Sequence, residues 1–188
     1  MITNNLLKMV GTICSIQDYE GTAEQTTFVN NNNEAVTIGV RMPSANDASV
    51  YAKANRTFDY SESNANLTVT SLNTAQDDLS PESYTWTGAT ICKSEIEGSS
   101  VDFNDGKLSF TYQVTITNEY SSNLMTVRSL VLYKKMYSFE YDPGYGDWSP
   151  HLETRPFIYS MVNFDEPIEL GASESKTITI KEVVDANV

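Results

Sequence analysis

From Leu108 to Ile116 the chain alternates without a break, with Leu108, Phe110, Tyr112, Val114 and Ile116 on one parity and Ser109, Thr111, Gln113 and Thr115 on the other. Successive side chains of a strand point to opposite faces. The pattern therefore predicts a β-strand with one face in the core and a threonine-rich face in water. The turn-forming cluster Asn118-Glu119-Tyr120-Ser121-Ser122-Asn123 follows, and a second apolar run extends from Leu124 to Tyr133. Together they predict a β-hairpin. Within the second run Val127 and Leu130 fall on opposite parities, which requires a bulge or burial of both faces.

The same reading gives the other elements. Thr3 to Ile13 fits a helix of about two turns, capped at Thr3 or Asn4, with Leu6, Leu7 and Val10 apolar and Gly11 weakening its end. Gln17 to Asn33 is polar and closes on four consecutive asparagines, an exposed loop or hairpin end. Strands are predicted from Glu34 to Val40, Leu67 to Leu72, Ser83 to Ile91, Phe157 to Phe164 and Ser175 to Val183. Pro156 sits at the start of one of them, and Asn104-Asp105-Gly106-Lys107 forms a hairpin turn. Many short strands, turn-rich connections and little helix predict an all-β antiparallel sandwich with a short N-terminal helix and long loops. The chain reads as one domain over residues 1–188, with an N-terminal helical segment at 1–15 and a long aromatic loop at 136–156.

That loop, Met136 to Glu153, is dense in aromatics and in Asp, Pro and Gly. Phe110, Tyr112, Trp86 and Phe164 are expected in the core. Tyr137, Phe139, Tyr141, Tyr145 and Trp148 are expected to form contacts, because exposed loop aromatics are costly unless covered and Tyr and Trp are typical interface anchors. Contact with protein is the preferred reading; ring stacking on carbohydrate is the alternative.

A chain of 188 residues buries a proper core without staples. Twelve Lys+Arg against 25 Asp+Glu give a net charge of −13, which disfavours nucleic acid and anionic membrane surfaces as partners. Cys14 and Cys92 are the only cysteines and His151 the only histidine. These counts exclude a disulfide scaffold and a two-Cys, two-His zinc site, and both thiols are expected free and buried. The start Met1 to Lys8 has no basic region before an apolar stretch, and no apolar run approaches the length that spans a bilayer, so synthesis in a cytoplasm is the expectation. His151 beside Pro150 lacks a nucleophile signature, and Gly144-Tyr145-Gly146 lacks the lysine and helix of a phosphate loop. Asp77 with Asp78, and Asp142 with Asp147, lack the alternating ligand spacing of a calcium loop. No enzyme activity, cofactor or metal is expected.

Five stretches carry a resemblance: the start Ile2-Thr3-Asn4, the strand end Thr115-Ile116-Thr117-Asn118, the strand Thr126-Val127-Arg128-Ser129-Leu130-Val131-Leu132-Tyr133, and the two closing stretches. The latter are Phe164-Asp165-Glu166-Pro167-Ile168-Glu169-Leu170-Gly171 and Ser175-Lys176-Thr177-Ile178-Thr179-Ile180. The chain resembles small virion structural proteins of tailed bacteriophages, found in tails, necks or collars and fibre attachments, most clearly from Ser109 to Val183. The resemblance implies a non-enzymatic building block, located in the virion, that forms a homo-oligomeric ring or collar, or anchors a tail or fibre, beside other virion proteins.

Overall fold

The computed structural model of the chain describes residues 1–8, 25–40, 56–58, 67–105, 107–134, 137–142, 147–152 and 156–185. Among them lie eleven strands: β1 (Gln25–Val29), β2 (Ala35–Val40), β3 (Arg56–Phe58), β4 (Leu67–Leu72), β5 (Thr90–Asn104), β6 (Lys107–Thr117), β7 (Met125–Lys134), β8 (Tyr137–Asp142), β9 (Asp147–Leu152), β10 (Phe157–Leu170) and β11 (Ser175–Asp185). They form a five-stranded sheet in the order β1-β2-β3-β8-β9 and a six-stranded sheet in the order β10-β7-β4-β5-β6-β11. Every pairing is antiparallel except β2 with β3. The predicted all-β antiparallel fold is the observed one.

The six-stranded sheet folds over so that both of its halves contribute to one core. Its edge strands β10 and β11 are joined only by the turn at Gly171–Glu174, so its two halves must face one another. Phe110, Tyr112, Val114 and Ile116 of β6 and Ile180 of β11 share one core with Leu130 and Leu132 of β7 and Phe157, Tyr159, Ile168 and Leu170 of β10. The inward parity read from Leu108 to Ile116 is therefore the buried face of β6. On its other face threonines bond across strands, Thr115 to Thr177 at 2.9 Å and Thr117 to Ser175 at 2.8 Å.

The predicted β6–β7 hairpin is not formed. Both strands exist, but β4 and β5 lie between them in the sheet. The Asn118–Asn123 cluster carries the chain across from one half to the other. Asn118 is fully buried there, and its side-chain amide donates to the carbonyls of Asn123, Leu170 and Gly171. The parity conflict in β7 reflects burial of both faces; β7 itself carries no bulge, and the register slips lie on β10. Leu130 and Leu132 enter the main core while Val131 enters a second cluster on the opposite face. Val127 rejoins the main core where β10 slips register between Asn163 and Ile168. That slip contains Pro167, which has no N–H for the ladder, and beyond it β10 runs on to Leu170, past the end predicted at Phe164.

Residues 83–89, expected in a strand, are irregular, and the strand begins at Thr90. Gln76 takes the place of a strand neighbour. Its side chain accepts from the Thr87 N–H at 2.8 Å and donates to the Thr87 carbonyl at 2.9 Å. Asn163 donates to the Gln76 carbonyl and accepts from its N–H. The 73–89 segment thus lies over the outer faces of β7 and β10, where Trp86 stacks on Tyr133 at 5.6 Å. Gly88 has φ +95, and a Cβ there would meet Thr74 at 2.7 Å, so only glycine fits.

The N-terminal residues lie along the free edge of β10, with Ile2 bridged to Ser160 and the terminal amine bonded to Glu182 of β11 at 2.7 Å. Residues 4–8 are helical, and the remainder of the predicted helix lies outside the described residues. The Thr3 carbonyl accepts the first helical bonds, while its hydroxyl donates to the Ile158 carbonyl. Ile2 and Leu6, four apart, are buried; Leu7, expected on the apolar face, is exposed.

Candidate functional site

The segment expected as a long aromatic loop is mostly a β-hairpin. Residues 137–142 alternate Tyr-Ser-Phe-Glu-Tyr-Asp, a period-two pattern that the neighbouring Pro143 and Gly144 obscure in the sequence. β8 and β9 are in register from Tyr137↔Leu152 to Asp142↔Asp147. Directly opposed residues share a face. Positions 137, 139 and 141 of β8 thus lie on one face with 148, 150 and 152 of β9: Tyr137 with Leu152, Phe139 with Pro150, and Tyr141 with Trp148. The other face carries Ser138 with His151, Glu140 with Ser149, and Asp142 with Asp147. Four of the five singled-out aromatics are brought together in this way. Tyr145 lies outside the described residues.

The register of the whole five-stranded sheet tells which face this is. Phe28 pairs with Val36, and Val36 shares parity with Val40. Val40 is in register with Phe58, Phe58 with Ser138, and Ser138 with His151. At the β1 end this face is the core face, for Phe28 is buried edge-on against Phe157 at 6.0 Å. The aromatic row occupies the opposite face of the sheet.

Cys92 is buried and free, and burial pushes its thiol up, away from the reactive thiolate; Cys14 lies outside the described residues. Burial, with Tyr112 nearby, raises the Tyr159 phenol well above the usual tyrosine range. Burial, then Glu182, raises Tyr112, and burial lowers Lys134. His151 sits in β9 opposite Ser138, and Asp77 and Asp78 are exposed in a bend. Among the described residues no three His, Cys, Asp or Glu side chains group as metal ligands. Also among them, no helix is long and apolar enough to cross a membrane.

A second surface was not anticipated. Val101 and Phe103, near the end of β5, are 61% and 69% exposed. Their alternation with Ser100, Asp102 and Asn104 is visible in the sequence, but a serine-rich, acidic neighbourhood hides it. No family model matches the chain, and neither does any curated protein or solved structure.

Proposed function

We propose that the chain is a non-enzymatic structural subunit of a tailed-bacteriophage particle, assembling into a ring or collar or at a tail or fibre attachment. The contact with a neighbouring copy is the aromatic face of the β8–β9 hairpin. One observation carries this reading: the register puts Tyr137, Phe139, Tyr141 and Trp148 on the sheet face opposite the one that Phe28 buries. Tyr and Trp at such positions are the residue types that anchor protein interfaces. The virion setting comes from the resemblance of the strand and turn sequences between Ser109 and Val183.

The test is the double variant Tyr141→Ala/Trp148→Ala, a directly opposed pair in the ribbon. Buried aromatic anchors commonly contribute about 2 kcal/mol each, about thirtyfold in affinity apiece. Sedimentation should show weaker self-association, with the thermal midpoint of the monomer unchanged and no glycan-array signal for either protein. Unaltered association would refute the assembly reading, and saturable glycan binding lost in the variant would replace it with carbohydrate recognition.

A further inference from the structure

β4 and β5 meet only where the six-stranded sheet turns over. Among the described residues they are in register at Ser71↔Cys92 and Leu72↔Thr90. From there the two strands part. β4 stays with β7 back to Leu67↔Lys134, whereas β5 stays with β6 out to Asn104↔Lys107. Among the described residues, 95–104 of β5 therefore have a strand on one side only, and their other edge presents backbone N–H and C=O groups that an arriving strand can pair with. A cleft of about 440 Å³ opens where the strands diverge, lined by Leu67, Val69, Ser94, Ile96 and Ser99 among others. The Ser94 hydroxyl is buried at this cleft with no hydrogen-bond partner. A buried hydroxyl left unpaired is costly, and it marks a place where a partner belongs.

The two faces of this edge differ. Register with β6 places Ile96, Ser99, Val101 and Phe103 on the side of Val114, Tyr112, Phe110 and Leu108, the inward face of the sheet. On that face Val101 and Phe103 are exposed. Asp102 lies on the opposite face with Ser109, and Glu97 occupies the register slip between Ile96 and Gly98. Glu95 is paired with Lys93 at 2.9 Å, but Glu97 and Asp102 have no ion-pair partner among the described residues.

These charges decide what sort of strand fits. A second copy paired antiparallel about the middle of β5 would bring Glu97 opposite Asp102. In parallel register each acid would face its own copy. Like charges directly opposed across strands are unfavourable, more so on chains of net charge −13. A strand with Lys or Arg at those positions gains where the copy loses.

We infer that the edge of β5 from Glu95 to Asn104 captures an extended, cationic strand of a partner protein by adding it to the sheet. Its backbone bonds to β5, its apolar residues lie beside Val101 and Phe103, and its cations meet Glu97 and Asp102. The main chain gives affinity, and the alternating side chains give selectivity.

The probes are a synthetic peptide alternating valine with lysine, its valine–glutamate counterpart, and the lysine peptide N-methylated at alternate residues. They are titrated against the full chain by fluorescence anisotropy and amide hydrogen exchange. The lysine peptide should bind saturably and slow exchange over residues 95–104, and the other two should not. Glu97→Lys/Asp102→Lys alters only exposed positions, so it should fold normally and shift the preference at least about tenfold towards the glutamate peptide, the size expected of close charge pairs. Phe103→Ser should weaken both. Tyr141→Ala/Trp148→Ala should bind as the parent does, which separates failure of strand capture from failure of the aromatic contact. Equal binding of both unmodified peptides, or binding of neither, overturns the proposal. So does protection of residues 95–104 that rises with protein concentration alone, which would assign the edge to a second copy.

Discussion

Replacing Asn118 should loosen the crossover that holds the two halves of the six-stranded sheet together. Its side chain is fully buried. The amide nitrogen donates to the carbonyls of Asn123 at 2.7 Å, Leu170 at 3.1 Å and Gly171 at 2.9 Å, and its oxygen accepts from the Tyr120 N–H at 3.0 Å. One side chain thus ties the β6–β7 crossover to the β10–β11 turn. A hydrogen bond contributes about 1 kcal/mol net, and a buried group left unpaired costs about 1–3 kcal/mol. Water reaches the partly buried contacts with Asn123 and Gly171, but the Leu170 contact is buried. Asn118→Ala should therefore cost about 3 kcal/mol, or about 6–12 °C in midpoint for a chain of this size. Asn118→Asp keeps the shape but sets a carboxylate against three carbonyl oxygens, so at neutral pH it should cost more than alanine. Protonation would restore one donor, and the aspartate variant should gain on the alanine variant as pH falls through the carboxylate range. Urea unfolding of the three proteins at neutral and mildly acidic pH measures this order. An alanine variant within about 1 kcal/mol of the parent, or an aspartate variant as stable as the parent, would refute the reasoning.

Two further perturbations test the core. Val114 is fully buried in the main cluster, so Val114→Asp should strand a charge there and abolish soluble expression; Thr115→Asp loses only the exposed bond to Thr177 and should cost about 1 kcal/mol or less. A worse outcome for Thr115→Asp would mean that the threonine face is itself a contact. The raised Tyr159 phenol adds stability that is whole below the unfolded tyrosine value of about 10 and is lost as pH climbs above it, so Tyr159→Phe should lose about 1.4 kcal/mol less per pH unit there. Lys134, lowered by burial, acts in the opposite sense but equally in both proteins; urea midpoints of parent and variant that stay parallel between about pH 9 and pH 11 would sink the assignment.

The alternation in β6, the short strand Leu67–Leu72, the asparagine turn at Asn30–Asn33 and the Asp105 turn were legible because burial or φ acts on neighbouring residues there. Asn33 and Asp105, at φ 60 and 50, are residue types that tolerate the left-handed region. Pairing was not legible in the same way. The Asn118–Asn123 cluster looks like a hairpin turn, yet β7 takes β4 and β10 as its neighbours. That choice depends on residues far apart in sequence, which local turn chemistry does not report. β5 was largely unseen for a different reason. Its outer half is held by pairing with β6 rather than by burial, so hydrophobic periodicity carries little of its signal.

Charge separates the two proposed contacts physically. Copies of a chain with charge −13 repel one another, so association through the aromatic β8–β9 face must overcome that field. Salt screens the repulsion over a Debye length of about 8 Å at physiological strength and leaves ring packing nearly untouched. Capture of a cationic strand at the β5 edge depends instead on attraction to Glu97 and Asp102, both exposed, and the same screening weakens it. Raising the salt should therefore strengthen self-association and weaken peptide capture in the two experiments already described. The opposite signs matter more than either magnitude, because a general loss of folding would move both contacts in one direction. A peptide contact that salt left unchanged would remove charge as the selector at the β5 edge and leave only backbone pairing and the apolar side chains of Val101 and Phe103.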